Sequence, residues 1–253
     1  MAMTEVPDLG EIEEYGNFDF EQYSGAGNES VGAEDIQIPY INVLQKMSPQ
    51  CDEDSPEYIE GCKAGMMFQS VNKYQWNGDE GLEVIPVSYQ RHVIEWIPRE
   101  KGGGMVAVHP MSVMKEVEWD LNEKNIPVRK DNGNLLIDTA QHVVMYRSQF
   151  SGKFEPAIIS MKSTAHKKSR LWNSLIAQQT IPGKDAQAPR WMFIWRARTV
   201  LETKDDNRWY NFEFSREGIV DKETFLRCVT LHSSHRKGQV SGSDGVDGDE
   251  IPF

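Results

Sequence analysis

The long run from Leu82 to Pro98 constrains the fold more than any other feature of the chain. Its side chains alternate between two faces: Ile85, Val87, Tyr89, Arg91 and Val93 on one, and Val84, Ser88, His92, Ile94 and Trp96 on the other. A period of two is the side-chain period of a β-strand, so the run predicts one long strand. Pro86 cannot donate to a strand ladder, and it therefore predicts an edge or a bulge within this strand.

Other β-rich segments, each bounded by turn residues, follow the same pattern. They are Gly65–Val71, Met105–Val108, His142–Phe150, Phe154–Lys162, Trp191–Leu201 and Arg208–Phe214. The short polar connections at Ser151–Lys153 and Lys204–Asn207 predict two hairpins. One helix is predicted to begin after Ser163 or Thr164, and another after Asp221. The predicted fold class is mainly β with one or two helices (α+β), built on an OB-fold-like barrel core.

Charge is segregated along the chain, although the whole sequence has a net charge of −12. Residues 1–60 contain 15 acidic residues and one basic residue, whereas residues 61–240 contain 20 acidic and 26 basic residues. Residues 241–253 contain four acidic residues and no basic one. We therefore predict a disordered acidic arm at 1–35, a single nucleic-acid-binding domain at 36–240, and a disordered acidic tail from 241 onward that binds partner proteins.

The helix predicted after Lys162 carries an unusual group of cations in its first two turns. They are His166, Lys167, Lys168 and Arg170. Cations at a helix N-terminus oppose the helix dipole, at a cost of about 0.3–1 kcal/mol each. A helix N-terminus with unpaired N–H groups, flanked by lysine and arginine, is a phosphate-binding arrangement. We therefore predict that Lys162, Lys167, Lys168 and Arg170 contact phosphates, and a solvated basic face is the alternative.

The segment Arg190–Arg198 interleaves aromatic and basic residues. As a strand, it places its aromatic rings on one face and Arg196 and Arg198 on the other. Proteins that bind single strands stack bases on aromatic rings, worth about 1–3 kcal/mol per base, and follow the backbone with cations. By this reasoning the further predicted DNA-binding residues are Tyr89, Arg91, Trp96, Trp191, Trp195, Arg196, Arg198, Arg208, Trp209 and Tyr210. Packing in the core is the alternative role for each aromatic ring.

The chain ends in an apolar tip that follows acidic residues: Asp249, Glu250, Ile251, Pro252 and Phe253. Phe253 can fill an apolar pocket, Pro252 limits the entropy lost on binding, and the acids attract a basic rim. This tip resembles the C-terminal tail of bacterial and phage single-stranded DNA-binding proteins. Residues 81–91 and 138–142, with Trp96 and the region after Lys162, are similar to stretches of phage replication-module proteins.

The resemblance to tailed-phage single-stranded DNA-binding proteins implies an OB-type fold and binding of single-stranded DNA without sequence preference. It also implies a tail that recruits replication or recombination proteins, with a role in DNA replication, recombination or repair. We expect the cytoplasm of a bacterial host, since Cys51, Cys62 and Cys228 are widely spaced and fit free thiols. No apolar run approaches the ~20 residues that cross a bilayer, so no membrane is expected. The oligomeric state stays open.

Other functions also remain open at this stage. A recombination protein that anneals strands, and an acidic inhibitor that mimics nucleic acid, both fit the charge distribution. A metal-dependent nuclease would use Asp185 and Glu202 as metal ligands. Cys228, His232 and His235 share a predicted helix, but a zinc site needs a fourth ligand that the sequence does not supply. The sequence contains no phosphate-binding loop motif, and we expect no catalytic residue, no metal and no cofactor.

Overall fold

The computed structural model describes residues 19–23, 25–30 and 37–236. The chain divides into two units, Met1–Ile36 and Gln37–Phe253. In the first unit, Phe20–Tyr23 forms one turn of 3-10 helix. The predicted tail, including the partner-binding residues Asp249–Phe253, lies outside the described residues, as does most of the predicted arm. The elements that follow belong to the second unit.

The second unit is mainly β. Its strands are β1 (Ile41–Val43), β2 (Met67–Gln69), β3 (Gln75–Trp76), β4 (Leu82–Trp96), β5 (Met105–Pro110), β6 (Trp119–Leu121), β7 (Pro127–Arg129), β8 (Leu135–Arg147), β9 (Phe154–Lys162), β10 (Phe193–Lys204) and β11 (Asn207–Ile219). Its α-helices are α1 (Val113–Glu116), α2 (Ala165–Ala177) and α3 (Lys222–Arg236). The predicted mainly β, α+β class is confirmed. The described residues contain three α-helices rather than one or two, because a single turn, α1, forms before β6.

Strands β4 to β11 form one antiparallel sheet of eight strands, and β1 to β3 form a second, smaller sheet. The strand order of the large sheet is β11-β10-β4-β8-β7-β6, with β5 also paired to β4 and β9 also paired to β8. This sheet curls into a half-barrel, consistent with an OB-like arrangement. Bulges increase local twist, and the register shifts between Pro86 and Ser88 and between Ile194 and Trp195. The bulge predicted at Pro86 is therefore confirmed.

Both predicted hairpins form. Strands β8 and β9 pair up to Arg147 and Phe154, across the predicted polar turn. Strands β10 and β11 pair up to Lys204 and Asn207, which leaves two residues in the turn. Asp205 in that turn has φ 54°, a left-handed conformation that aspartate tolerates better than most residues. Local turn chemistry therefore decides where both hairpins reverse.

The two long helices begin differently from one another. The Oδ1 atom of Asp221 accepts a hydrogen bond from the N–H of Thr224 at 2.9 Å, so the predicted cap of α3 is confirmed. Helix α2 begins directly after Thr164, but neither predicted hydroxyl caps it. Thr164 already has helical dihedral angles, φ −61° and ψ −29°, whereas a capping side chain needs an extended backbone. The side-chain cap predicted for α2 is therefore wrong.

Helices α2 and α3 pack on opposite faces of the large sheet. Val84 in β4 packs with Trp172 of α2, whereas the next core residue, Ile85, packs with Cys228 of α3. Successive strand residues point to opposite faces, so the two helices cover two separate cores. Ile41 of the small sheet joins the core on the α2 side. In the described part of the chain, no helix is both long and apolar enough to cross a membrane.

Two tryptophans that the sequence placed on a binding surface are buried. Trp96 is 1% exposed and Trp195 is 2% exposed. Trp195 meets Trp172 edge-on with ring centroids 6.3 Å apart, and Trp96 packs with Ile94 and Ile137. Each occupies an inward position of its strand, where alternation turns the ring to the core. This corrects their placement on the surface, since neither ring presents a face to a base.

Candidate nucleic-acid interface

Helix α2 lies on the sheet with its cations outward. Ser169, Trp172 and Ile176 are its buried residues, and at 100° per residue Lys167 and Arg170 fall on the opposite, exposed side. The helix contains no acidic residue. Its own sequence therefore offers these two cations no ion-pair partner at the i+3 or i+4 spacing. We call Lys167 and Arg170 the crest of α2.

A groove runs between α2 and the β10–β11 hairpin, with a volume of about 200 Å³. The helix side is lined by Lys168, Leu171, Trp172 and Leu175. The hairpin side is lined by Arg198, Phe212, Glu213, Phe214 and Ser215. We call this cavity the hairpin groove. Its rim carries charged side chains of both signs, and its floor is apolar and aromatic.

Stacked aromatic rings form the floor of the hairpin groove. The rings of Trp172 and Phe214 are parallel, with centroids 3.7 Å apart and an interplanar angle of 1°. Phe212 stacks beside Phe214 at 5.7 Å. Offset and stacked pairs add about 0.5–1.5 kcal/mol beyond the area they bury. The rings of the floor are themselves packed in the core, none of them more than 9% exposed, whereas Leu171 at the edge is 55% exposed.

Glu202 neutralises part of the positive charge on the helix side of the groove. Its Oε1 atom lies 3.1 Å from Nζ of Lys168, and its Oε2 atom accepts hydrogen bonds from Asn211 at 2.8 Å and Trp209 at 3.1 Å. The hydrogen bond from Asn211, with the Lys168 charge, lowers the pKa of Glu202. Asp185, the other proposed nuclease ligand, is exposed in a loop. Among the described residues no group of three or more His, Cys, Asp and Glu is arranged to hold a metal ion.

The two predicted arginines of β10 differ in their partners. Arg198 donates from Nε to the Asp79 carbonyl at 3.0 Å and from Nη1 to the Ser215 hydroxyl at 3.5 Å, and both acceptors are neutral. Arg196 contacts Glu217 at 2.7 Å and Glu83 at 3.2 Å. Two carboxylates therefore offset the charge of Arg196, whereas Arg198 keeps its charge on the rim of the groove.

The predicted residues of β11 lie further along the hairpin. Arg208 is exposed beside the turn, and Trp209 and Tyr210 are partly buried. The backbone of Tyr210 exchanges two hydrogen bonds of 2.9 Å with the amide of Gln45. Its ring lies so close to Gly65 that a Cβ there would come within 2.6 Å of it. Tyr210 therefore has a packing role, whereas Arg208 is an exposed cation of this strand.

Tyr89 and Arg91 lie on the other flank of α2, away from the hairpin groove. Arg91 makes a two-point ion pair with Asp138, with Nε 2.9 Å from Oδ1 and Nη2 2.5 Å from Oδ2. Nε2 of His166 on α2 lies 2.9 Å from the Asp138 carbonyl oxygen. The Tyr89 ring lies 5.0 Å from that of His142. The sequence-predicted residues thus divide between two flanks of one helix.

Two further predicted residues are on the opposite face of the sheet. The rings of Trp191 and Phe225 are 6.1 Å apart, and those of Trp191 and His232 are 5.0 Å apart, both partners being on α3. Nζ of Lys162 lies 5.9 Å from the Trp96 ring centroid. The neighbour of Lys162, Met161, packs in the core on the α2 side, so Lys162 points away from α2. This corrects the expectation that both residues join one groove.

The structure also reveals a buried polar cluster that the sequence did not indicate. Nη2 of Arg190 donates to Nδ1 of His142 at 3.0 Å and to Oδ1 of Asn173 at 2.7 Å. Nε2 of His142 lies 2.8 Å from the Ser169 hydroxyl. These residues come from β8, α2 and the segment before β10. Arg190 was visible at the start of the aromatic segment, but no local pattern reveals that it is partly buried among neutral partners.

No curated protein and no solved structure matches this chain. A family of phage proteins, described as Pam3 phage gp34-like protein, matches residues 15–241. That range contains both sheets, α2 and the hairpin groove, and it ends before the tip at Asp249–Phe253. The tip that resembles single-stranded DNA-binding proteins is therefore separate from the part that identifies the family. Because the match spans most of the sequence, the chain belongs to the family of Pam3 phage gp34-like proteins.

Proposed function

We propose that this phage protein binds single-stranded DNA without sequence preference, in DNA replication, recombination or repair. The observation that carries the proposal is an acid-free helix beside an aromatic groove. The crest of α2 supplies Lys167 and Arg170, and the rim of the hairpin groove supplies Lys168 and Arg198. A strand laid along this surface would meet these cations with its phosphates and the exposed side chain of Leu171 with its bases, and neither contact depends on the base sequence.

The binding strength is expected to depend steeply on salt. Each phosphate that a protein cation neutralises releases a condensed counterion, and for single strands the slope of log K against log [salt] is about −0.7 per phosphate. The crest and the rim together offer Lys167, Lys168, Arg170 and Arg198. Four contacts predict a slope of about −3. Lys168 has one carboxylate partner, Glu202, which a phosphate would have to displace. Arg196 is left out of the four in this proposal, because two carboxylates, Glu83 and Glu217, offset its charge.

We further propose that the protein acts by binding alone, without a catalytic residue or cofactor. In this proposal the acidic tail recruits partner proteins through Asp249–Phe253. Glu202 stabilises the groove in this proposal instead of holding a metal ion, because its carboxylate already accepts from Lys168, Asn211 and Trp209. A Mg²⁺-dependent loss of a labelled oligonucleotide that disappears in Glu202→Gln would favour the nuclease alternative instead.

The test is a titration with unlabelled oligo-dT, followed by intrinsic tryptophan fluorescence at several salt concentrations. The wild-type protein is expected to lose fluorescence on binding, because a strand bound at the rim changes the surroundings of Trp172, which lies beneath the groove and is 1% exposed. A double variant, Lys168→Gln with Arg198→Gln, is expected to reduce the salt slope to about −1.5, since two phosphate contacts are lost. Lys115→Gln is the matched control, because Lys115 is exposed on α1 and lies outside the groove.

Two results would contradict the proposal. The first is a wild-type protein that shows neither fluorescence quenching nor any salt-dependent binding of oligo-dT. The second is a double variant whose affinity and salt slope equal those of Lys115→Gln. The first result would exclude single-stranded DNA as the ligand, and the second would place the binding surface away from the hairpin groove.

A further inference from the structure

Arg190 is partly buried, and its hydrogen-bond partners are neutral. Its guanidinium donates to His142 and Asn173, and it lies 5.7 Å from the Tyr89 ring centroid. Its Nε atom is buried without a hydrogen-bond partner. Within residues 37–236 no carboxylate lies within ion-pair distance of it. The positive charge of Arg190 is therefore held in place but is not neutralised.

Four other arginines pair with carboxylates: Arg91, Arg129, Arg147 and Arg196. Arg198, Arg216 and Arg227 donate to neutral acceptors, as Arg190 does. Among the described arginines, Arg190 differs from these three because its Nε atom is buried without a hydrogen-bond partner. Removing a charge from water costs several kcal/mol unless another charge and good hydrogen bonds compensate it. Burial lowers the pKa of Arg190 to about 10, which still leaves the group charged at neutral pH. Since no described carboxylate pairs with Arg190, we expect the anion that neutralises it to come from a bound molecule.

The neighbouring side chains hold the guanidinium in one orientation. Because Nδ1 of His142 accepts from Arg190, the imidazole proton is on Nε2, which donates to the Ser169 hydroxyl. Burial, with the nearby Arg190 charge, holds the pKa of His142 well below its usual value, so the ring stays neutral. Both fixed contacts use Nη2 of Arg190. Its Nη1 atom makes no hydrogen bond with the described residues and is not buried, so it remains for an incoming oxygen.

The position of Arg190 fits a path for a nucleic-acid strand. Asn173 is one turn of α2 beyond Ser169, on the flank opposite the hairpin groove, and the crest separates the two flanks. The partly buried ring of Tyr89 lies beside the guanidinium. A strand that leaves the groove and crosses the crest at Lys167 and Arg170 would next reach this flank.

We propose that Arg190 anchors a phosphate-binding site on this flank, oriented by His142 and Asn173, and that it receives one backbone phosphate of the bound strand. The phosphate chemistry follows from the arginine, because the guanidinium fork matches phosphate oxygens. The assignment of that phosphate to a DNA strand rests on the function proposed above. A free phosphate ion is the other source of the same chemistry, and the experiment separates the two.

The first arm of the test measures the midpoint of thermal unfolding in inorganic phosphate and in chloride at equal ionic strength. Asn173→Asp is the decisive variant, because it keeps the side-chain size and places a carboxylate where Oδ1 lies 2.7 Å from Arg190. The resulting ion pair with Nη2 is expected to neutralise the guanidinium charge and so to abolish the specific gain in midpoint in phosphate. Asn125→Asp adds the same charge at an exposed turn between β6 and β7, and it is expected to keep that gain.

The second arm measures oligo-dT affinity against salt for the same proteins. Asn173→Asp is expected to reduce the salt slope by about 0.7, the equivalent of one phosphate contact, while Asn125→Asp leaves it unchanged. If wild type binds oligo-dT and both variants behave alike in both arms, the Arg190 site is refuted and the proposed function stands. If the phosphate gain depends on Asn173 but no protein binds oligo-dT, the strand assignment is refuted and a free-phosphate site replaces it.

Discussion

Glu95 is a buried carboxylate whose replacement by glutamine is expected to destabilise the fold by about 3 kcal/mol at neutral pH. It is 2% exposed and lies in β4, the central strand of the sheet. Four side chains contact it: His109 at 2.7 Å, Arg129 at 2.9 Å, Asn132 at 2.9 Å and Asn134 at 2.6 Å. Through them it connects β4 to β5 and to the turn between β7 and β8.

The magnitude follows from the pKa of Glu95. Burial alone raises this pKa, but the hydrogen bonds from Asn134, His109, Asn132 and Arg129 outweigh burial and lower it to about 2. A depression from 4.5 to about 2, at ~1.4 kcal/mol per pH unit, corresponds to roughly 3 kcal/mol. Because the folded-state pKa is the lower one, this stabilisation is complete above pH 4.5 and is lost as the pH falls toward 2.

Urea unfolding of wild type and Glu95→Gln at pH 7 and pH 3 tests this reasoning. The difference in free energy of unfolding between the two proteins is expected to be about 3 kcal/mol at pH 7 and about 2 kcal/mol smaller at pH 3. Glu123→Gln, at an exposed position between β6 and β7, is the control and is expected to change little at either pH. A difference below 1 kcal/mol at pH 7, or an equal difference at both pH values, would refute the argument.

Three further predictions concern packing, the groove floor and the tail. Gly78→Ala is expected to destabilise by about 1–3 kcal/mol in urea unfolding, because its Cβ would come within 2.0 Å of the Thr199 hydroxyl and 2.1 Å of the Gly65 carbonyl oxygen. An unchanged urea midpoint would contradict this packing. Trp172→Ala is expected to lower the free energy of unfolding by about 3–5 kcal/mol and to weaken the quenching of tryptophan fluorescence by oligo-dT. Quenching as large as in the wild type would show that the strand binds away from Trp172. Deleting residues 241–253 should tighten oligo-dT binding most at low salt, and equal affinity would exclude competition by the acidic tail.

Much of the fold was predictable because it depends on local patterns. Alternation along Leu82–Pro98 predicted β4, Pro86 predicted its bulge, and short polar turns predicted the two hairpins. These features depend on residues a few positions apart, whose conformational preferences are already present in the isolated segment. The cap expected from Ser163 or Thr164 was wrong because Thr164 already has helical dihedral angles, which the residue pattern did not reveal.

The binding surface was less predictable. Alternation places Arg196 and Arg198 on one face of the strand, and nothing in the surrounding sequence indicates that their charges have different partners. Glu83 and Glu217 come from other strands to neutralise Arg196, while Arg198 meets neutral acceptors. The same limit applies to stacking, since an aromatic ring on a strand alternates inward or outward according to which face the rest of the chain covers.

By itself the sequence determined the β-rich class, the hairpins, the segregation of charge and the cation-rich helix, because each depends on composition or on short-range periodicity. Only the tertiary structure decided which groups meet. It buried Trp195, joined Lys168 to Glu202, and isolated Arg190 from every described carboxylate. Burial and ion pairing depend on residues distant along the chain that folding brings within a few ångströms, and that is why a charge visible in the sequence acquires its role only in the fold.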